Sequence, residues 1–202
     1  MSFFTGSEFT LGEKLLEVIY IVMGLVSIYT GVKNARDKEN SARVGTAVFW
    51  CALGVVMAFG RWIPPIGNGV LVVIMTLPAI FKKVKLGKSD EPAEEYTEKM
   101  YEKIGMKIFI PALSIGVFAI IFAIFFKTLG ALVGIGFGII VSIVTLMIFS
   151  KDNKPSVFLN DSERLLSTVG PLSMLPMLLA SLGAVFTAAG VGDVIANLVG
   201  KI

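Results

Sequence analysis

The sequence specifies an all-α, polytopic integral membrane protein with about six transmembrane helices and a short C-terminal amphipathic helix. Two features of composition and one of patterning predict this class. Hydrophobic residues make up 55% of the chain and charged residues only 16%, whereas a water-soluble domain carries about 25% charged residues. The apolar residues are gathered into runs of roughly 17 to 25, the length that crosses about 30 Å of hydrocarbon as a helix. The charged residues fall mainly between those runs.

Six spans follow in chain order, near 15–32, 44–60, 66–81, 108–126, 129–149 and 165–189. The third is the shortest and ends at TLPAIF, where Pro78 lacks an N–H and bends or ends a helix. Ahead of the first span, MSFFTGSEFTLGEK holds two glutamates and one lysine rather than a basic stretch. The first span therefore reads as a retained helix and not as a cleaved signal peptide.

Lysine and arginine orient these spans. The stretches 33–43, 82–107 and 150–164 hold 14 of the 18, and the other connections and the two ends hold 4. Loops rich in Lys and Arg stay in the cytoplasm, which puts both termini outside. Arg61 and Trp62 then lie at the outer interface, and Pro64–Pro65 stops the second helix. The net charge of +3 reflects this bias between loops and implies no nucleic-acid partner.

The central loop, KKVKLGKSDEPAEEYTEKMYEKIGMK, opens on Lys82, Lys83, Lys85 and Lys88 and turns helical from Glu94, with Ser89 or Asp90 as the expected cap. It reads as a solvated linker. It divides the chain three spans and three, but the halves show no convincing repeat.

Several chemistries are excluded by composition. There is no histidine and only one cysteine, Cys51, so zinc sites, histidine acid–base catalysis and disulfides within the chain have no ligands or partners. No P-loop is present. The chain is expected to be no enzyme and to carry no cofactor or metal. Cys51 reads as a packing thiol. Glu17, the one plainly ionisable residue within a span, is expected to be an interfacial carboxylate that reaches water.

Small residues and helix breaks remain. GALVGIGFGIIVSI in the fifth span places Gly130, Gly134 and Gly138 four apart, a stripe on which a neighbouring helix approaches closely, with Gly136 beside it. In the sixth span Pro171 and Pro176 free the carbonyls near Ser167 and Leu172, and Ser167, Thr168 and Ser173 are placed to compensate. Interrupted helices recur along substrate paths in secondary transporters. The candidate substrate-binding residues are therefore Ser167, Thr168, Gly170, Pro171 and Ser173, with Gly190 and Gly192 at the break that follows. After that break Asp193 is the expected cap of a short helix whose Val194, Ile195, Leu198 and Val199 share one face.

The first 65 residues also carry a pattern: Tyr29, Asp37, Asn40 and Arg43, then GTAVFW from Gly45 to Trp50, then Phe59–Gly60 and Pro64–Pro65. With MLPMLLASLGAVFTAAGVGDVIA near the other end, it resembles a bacterial family of membrane permease subunits linked to 5-oxoproline (pyroglutamate) transport. More loosely, it resembles the wider superfamily of ion transporters. The resemblance implies a bacterial inner-membrane permease for a small organic anion, working with a second multispan subunit or as a homo-oligomer. It also implies further spans after the AAGVG turn, so that the chain would be a fragment, a split subunit or a half completed by another chain. The alternative reading is a structural or assembly subunit with no substrate site of its own.

Overall fold

The structure, a computed structural model, describes residues 2–85, 92–150 and 152–200; side chains at 170–175, 177, 178 and 181 lie outside the description. Every regular element among the described residues is helical. The order is α1 (Ser2–Thr5), α2 (Leu11–Arg36), α3 (Arg43–Phe59), α4 (Pro65–Ile80), α5 (Glu94–Ile104), a 3-10 turn (Gly105–Ile108), α6 (Phe109–Phe125), α7 (Gly130–Phe149), α8 (Pro155–Ala188) and α9 (Val191–Val199).

Among the described residues, three helical segments are long and apolar enough to cross a bilayer: Leu11–Arg36, Glu94–Phe125 and Gly130–Phe149. The pair Leu182–Ala188 and Val191–Val199, bent by 69°, makes a fourth if it acts as one span. Helices α3 and α4 have 17 and 16 residues, or about 24–26 Å at 1.5 Å per residue, short of a 30 Å hydrocarbon core. The sixth span, expected to begin at 165, belongs to a helix that starts ten residues earlier. Pro155 supplies that start, since its missing N–H costs nothing in a first turn.

Helix α2 organises the bundle. Against α3 its backbone comes so close at Gly24 that an added Cβ would lie 2.6 Å from the Gly54 carbonyl oxygen, and Gly31 meets Cys51 in the same way. Small residues on both helices permit that approach, and close approach yields the many dispersion contacts that join helices in lipid. Against α7, Ile19 packs on Gly136 and Gly12 on the backbone at Thr128. Helices α6 and α7 form a second close pair, with Gly134 under Phe118 and Phe122 and Gly138 against Ile115. Gly130 stands apart from that stripe: it opens α7 with φ +80° and has open space where a Cβ would be. Helix α4 closes on α3 through a cluster of Phe49, Trp50, Ala52 and Met75, on which Leu53, Val84 and Leu166 pack.

Local chemistry explains the helix ends. A capping box opens α2: the Glu13 N–H donates to Thr10 Oγ1 at 3.3 Å, and the Thr10 N–H donates to Glu13 at 2.8 Å. Helix α5 begins after Ala93 with no side-chain cap; Ser89 and Asp90, the expected caps, lie outside the described residues. Lys103 near its end donates to Ser150 at 3.0 Å and to Asp152 at 3.4 Å, tying α5 to the end of α7. The Ser150 hydroxyl and then Lys103 hold the Asp152 carboxyl below the usual carboxylate range. Helix α9 is entered through Gly190 at φ +67°, so Asp193 is not its cap. Asp193 sits instead in the first turn, where a carboxylate faces the positive end of the helix dipole.

The seam between α2 and α3 is directly testable. Gly24→Leu is expected to destabilise the protein by about 1–3 kcal/mol through overpacking, read as a lower thermal midpoint in detergent. Gly69→Leu, where an added Cβ meets nothing within 4 Å, is expected to leave the midpoint unchanged.

Candidate functional site

The site is built from four stretches of sequence that the fold brings together. The last turns of α2 present Tyr29, Thr30, Lys33 and Asn34; the first turns of α8 present Asn160, Glu163 and Ser167 at helical spacing. The connection into α3 adds Asn40 and Thr46, and the chain leaving α4 adds the Lys85 backbone.

The bonds among them form one network. Lys33 Nζ pairs with Glu163 Oε2 at 2.7 Å. The Ser167 hydroxyl donates to Glu163 Oε1 at 2.9 Å, and Asn34 Nδ2 lies 3.1 Å from Ser167 Oγ and 3.4 Å from Glu163 Oε1. The Tyr29 hydroxyl and Asn160 Oδ1 meet at 2.9 Å. Asn40 Nδ2 donates to Asn34 Oδ1 at 3.4 Å and to the Lys85 carbonyl at 3.2 Å. Thr46 closes the circuit, its hydroxyl 3.1 Å from the Lys85 carbonyl and 3.0 Å from the Lys85 N–H. Asn34, Asn40, Thr46, Glu163 and Ser167 are all buried. Burying a carboxylate and two carboxamides is expensive unless each is paired, and here each is. The Lys33 side chain is about one-third exposed and so reaches solvent beside the buried carboxylate.

A second ion pair, with its carboxylate buried, lies toward the opposite end of α2. Arg61 Nε donates to Glu17 Oε2 at 3.0 Å, and the guanidinium stacks 3.9 Å over the Phe3 ring. Glu17 is only 7% exposed. The carboxylate expected to reach water is thus largely covered, while its partner Arg61, under Phe3, stays exposed. An open pocket of about 480 Å³ lies beside it, lined by Glu17, Tyr20, Val56, Met57, Gly60 and Arg61.

The residues expected to bind substrate fall in separate places. Ser167 belongs to the buried network just described. Thr168 is exposed, its hydroxyl donating to the Arg164 carbonyl of its own helix at 2.8 Å. Gly170, Pro171 and Ser173 lie within α8, with side chains outside the description. Gly190 and Gly192 line a pocket of about 340 Å³ at the bend between α8 and α9, with Phe186, Thr187, Asp193 and Ile195. Ser167 and Gly190 are separated by roughly 35 Å of helix at 1.5 Å per residue, so they serve two sites and not one. Among the described residues no group of histidine, cysteine, aspartate and glutamate is placed to hold a metal ion.

Sequence reasoning missed Lys33, Asn34, Asn160 and Glu163 as site residues. The signal was there: Asn160, Glu163 and Ser167 recur at three and four residues along one face. Tyr29, Asn40 and Thr46 had been noted within the amino-terminal pattern, and the structure shows what they share physically. They tie the end of α2 to α3, α4 and α8.

Apolar helices long enough to cross a bilayer, joined through a buried network of polar groups, define a polytopic helical membrane protein. The chain belongs to the family described as Protein of unknown function (DUF979), whose model matches residues 17–202. No curated protein and no solved structure matches the chain.

The Lys33–Glu163 pair can be measured by a double-mutant cycle. Glu163→Gln and Lys33→Met are each expected to destabilise by about 1–3 kcal/mol, less than a fully buried pair because Lys33 reaches solvent. The double variant is expected to lose less than the sum of the two, read from thermal unfolding in detergent.

Proposed function

We propose that the protein is the membrane subunit of a secondary transporter for a small organic anion, with 5-oxoproline as the first substrate to test. The observation that carries this reading is the bent pair α8–α9. Its 69° break leaves a cavity of about 340 Å³ lined by Gly190 and Gly192, and backbone freed at such breaks is where transporters hold small polar ligands. The resemblance of the amino-terminal pattern to permease subunits favours this reading.

In this reading the protein lies in a bacterial inner membrane, crosses it up to six times with the two short helices α3 and α4 included, and keeps the basic loops in the cytoplasm. The amino terminus is outside. Beyond Ser167, α8 leaves α2 and exposes Leu179, Leu182, Val185 and Phe186. That apolar stretch suits a second multispan subunit or a second copy of the chain. It equally suits an assembly subunit without a substrate site, so the test must separate the two.

Labelled 5-oxoproline uptake into vesicles is the discriminating measurement, made with the chain alone and then with its neighbouring membrane subunit. Uptake that Gly190→Val abolishes while complex yield is unchanged is the expected result. No uptake in either preparation would overturn the transport reading and leave the assembly role. Orientation is tested by labelling Glu98→Cys in a Cys51→Ser background, where reagent confined to the outside is expected to leave residue 98 unmodified.

A further inference from the structure

We infer that the edge formed by α4 and the start of α3 is a binding site for one anionic phospholipid, its phosphate held by Arg43, Lys82, Lys83 and Lys85. All four are exposed. None takes part in an ion pair among the described residues, whereas Lys33, Arg61, Lys103 and Arg164 all do.

These cations do not sit on a loose tail. Lys82 adopts φ +53°, a left-handed conformation that a residue with a side chain enters at a cost. It stops α4, with the Lys82 N–H on the Ala79 carbonyl at 3.0 Å and the Lys83 N–H on the Pro78 carbonyl at 2.8 Å. Two residues later Thr46 and Asn40 clasp the Lys85 backbone. The Lys83 backbone lies directly against Gly45, where no Cβ would fit, and Arg43 begins the same turn of α3. The result is a concentration of positive charge whose backbone is already fixed, so an arriving anion has only the side chains left to order.

The occupant is a lipid and not a free anion because of what lies next to the charges. Ile66, Val70, Val73, Leu77 and Ile80 are exposed along one stripe of α4, at spacings of three and four residues that return to the same face. Helix α4 packs chiefly on α3, so this stripe is open, and it leads from the far end of the helix directly to Lys82. An acyl chain along the stripe places its phosphate among the cations. Basic clusters of this size immediately beyond an apolar helix attract anionic headgroups near the membrane surface.

The inference is independent of the transport reading and is tested on the full chain in detergent by native mass spectrometry. Phosphatidylglycerol and phosphatidylcholine are added at equal concentration. The wild type is expected to retain phosphatidylglycerol about tenfold over phosphatidylcholine. Arg43→Gln/Lys82→Gln/Lys83→Gln/Lys85→Gln is expected to lose that preference. Lys99→Gln/Lys107→Gln/Lys127→Gln/Lys154→Gln, which removes the same charge elsewhere, is expected to keep it. If the first variant does not fold, Lys82→Gln/Lys83→Gln leaves the Thr46–Lys85 clasp intact and is expected to reduce the preference by about threefold. Equal loss in the two quadruple variants would show that net charge alone attracts the lipid, and would overturn the site. So would an absence of preference in the wild type, or complete displacement of the lipid by inorganic phosphate at the same concentration.

Discussion

The close approach of α2 to α3 is the constraint on which the other contacts depend. In lipid there is no hydrophobic force to drive helices together, because the surrounding chains are as apolar as the side chains. What remains is contact between surfaces and the hydrogen bonds that contact permits. Gly24 and Gly31 on α2, facing Gly54, Ala58 and Cys51 on α3, remove the side chains that would hold the two backbones apart. The same helix then meets α7 on another face, through Ile19 and Gly136. A larger residue in the first seam would displace α2 and with it the α6–α7 pair that it carries.

That placement also decides where polar groups can be buried. Each end of α2 carries one carboxylate–cation pair, Glu17 with Arg61 and Lys33 with Glu163. Each pair joins α2 to a residue distant in sequence, and in each the buried carboxylate would be costly without its cation, which reaches solvent. The inner network is the more extensive because three chain reversals converge on it. Asn40 and Thr46 receive the chain leaving α4, and Glu163 and Ser167 receive the start of α8. Polar residues here do what small residues do along the seam, supplying attraction in a medium where apolar contact gives little selectivity.

Much of this fold was legible in the sequence, because long apolar runs, prolines at helix starts and glycines at four-residue spacing act locally. The positions of α2, α6 and α7 follow from runs that one helix satisfies by itself. What was not legible required knowledge of a partner. Glu17 looked like a carboxylate reaching water because Arg61 lies 44 residues away, and nothing in the local pattern pairs them. Glu163 looked like a loop residue for the same reason, since its partners Lys33 and Asn34 are about 130 residues distant. The cap of α9 was assigned to Asp193 on propensity, and the left-handed turn at Gly190 overrode that preference. The two spans at α3 and α4 coincide with apolar helices of 17 and 16 residues, near the lower limit of length for crossing a bilayer.

The separation of Ser167 from Gly190 bears on how such a protein could couple two events. Ser167 is locked into an ionic network that fixes one end of α8, while Gly190 turns the other end through a bend that few contacts restrain. The buried network is the more restrained end of α8, and the exposed bend, with few packed neighbours, is the less restrained one. If the bend holds a ligand, the free energy of that binding acts on the least restrained part of the chain and reaches the anchor only through the continuous backbone of α8. Pro171 and Pro176 lie on that path, where the missing N–H groups weaken the helix and lower the cost of bending it. The two prolines thus define how independently the two ends of α8 can move.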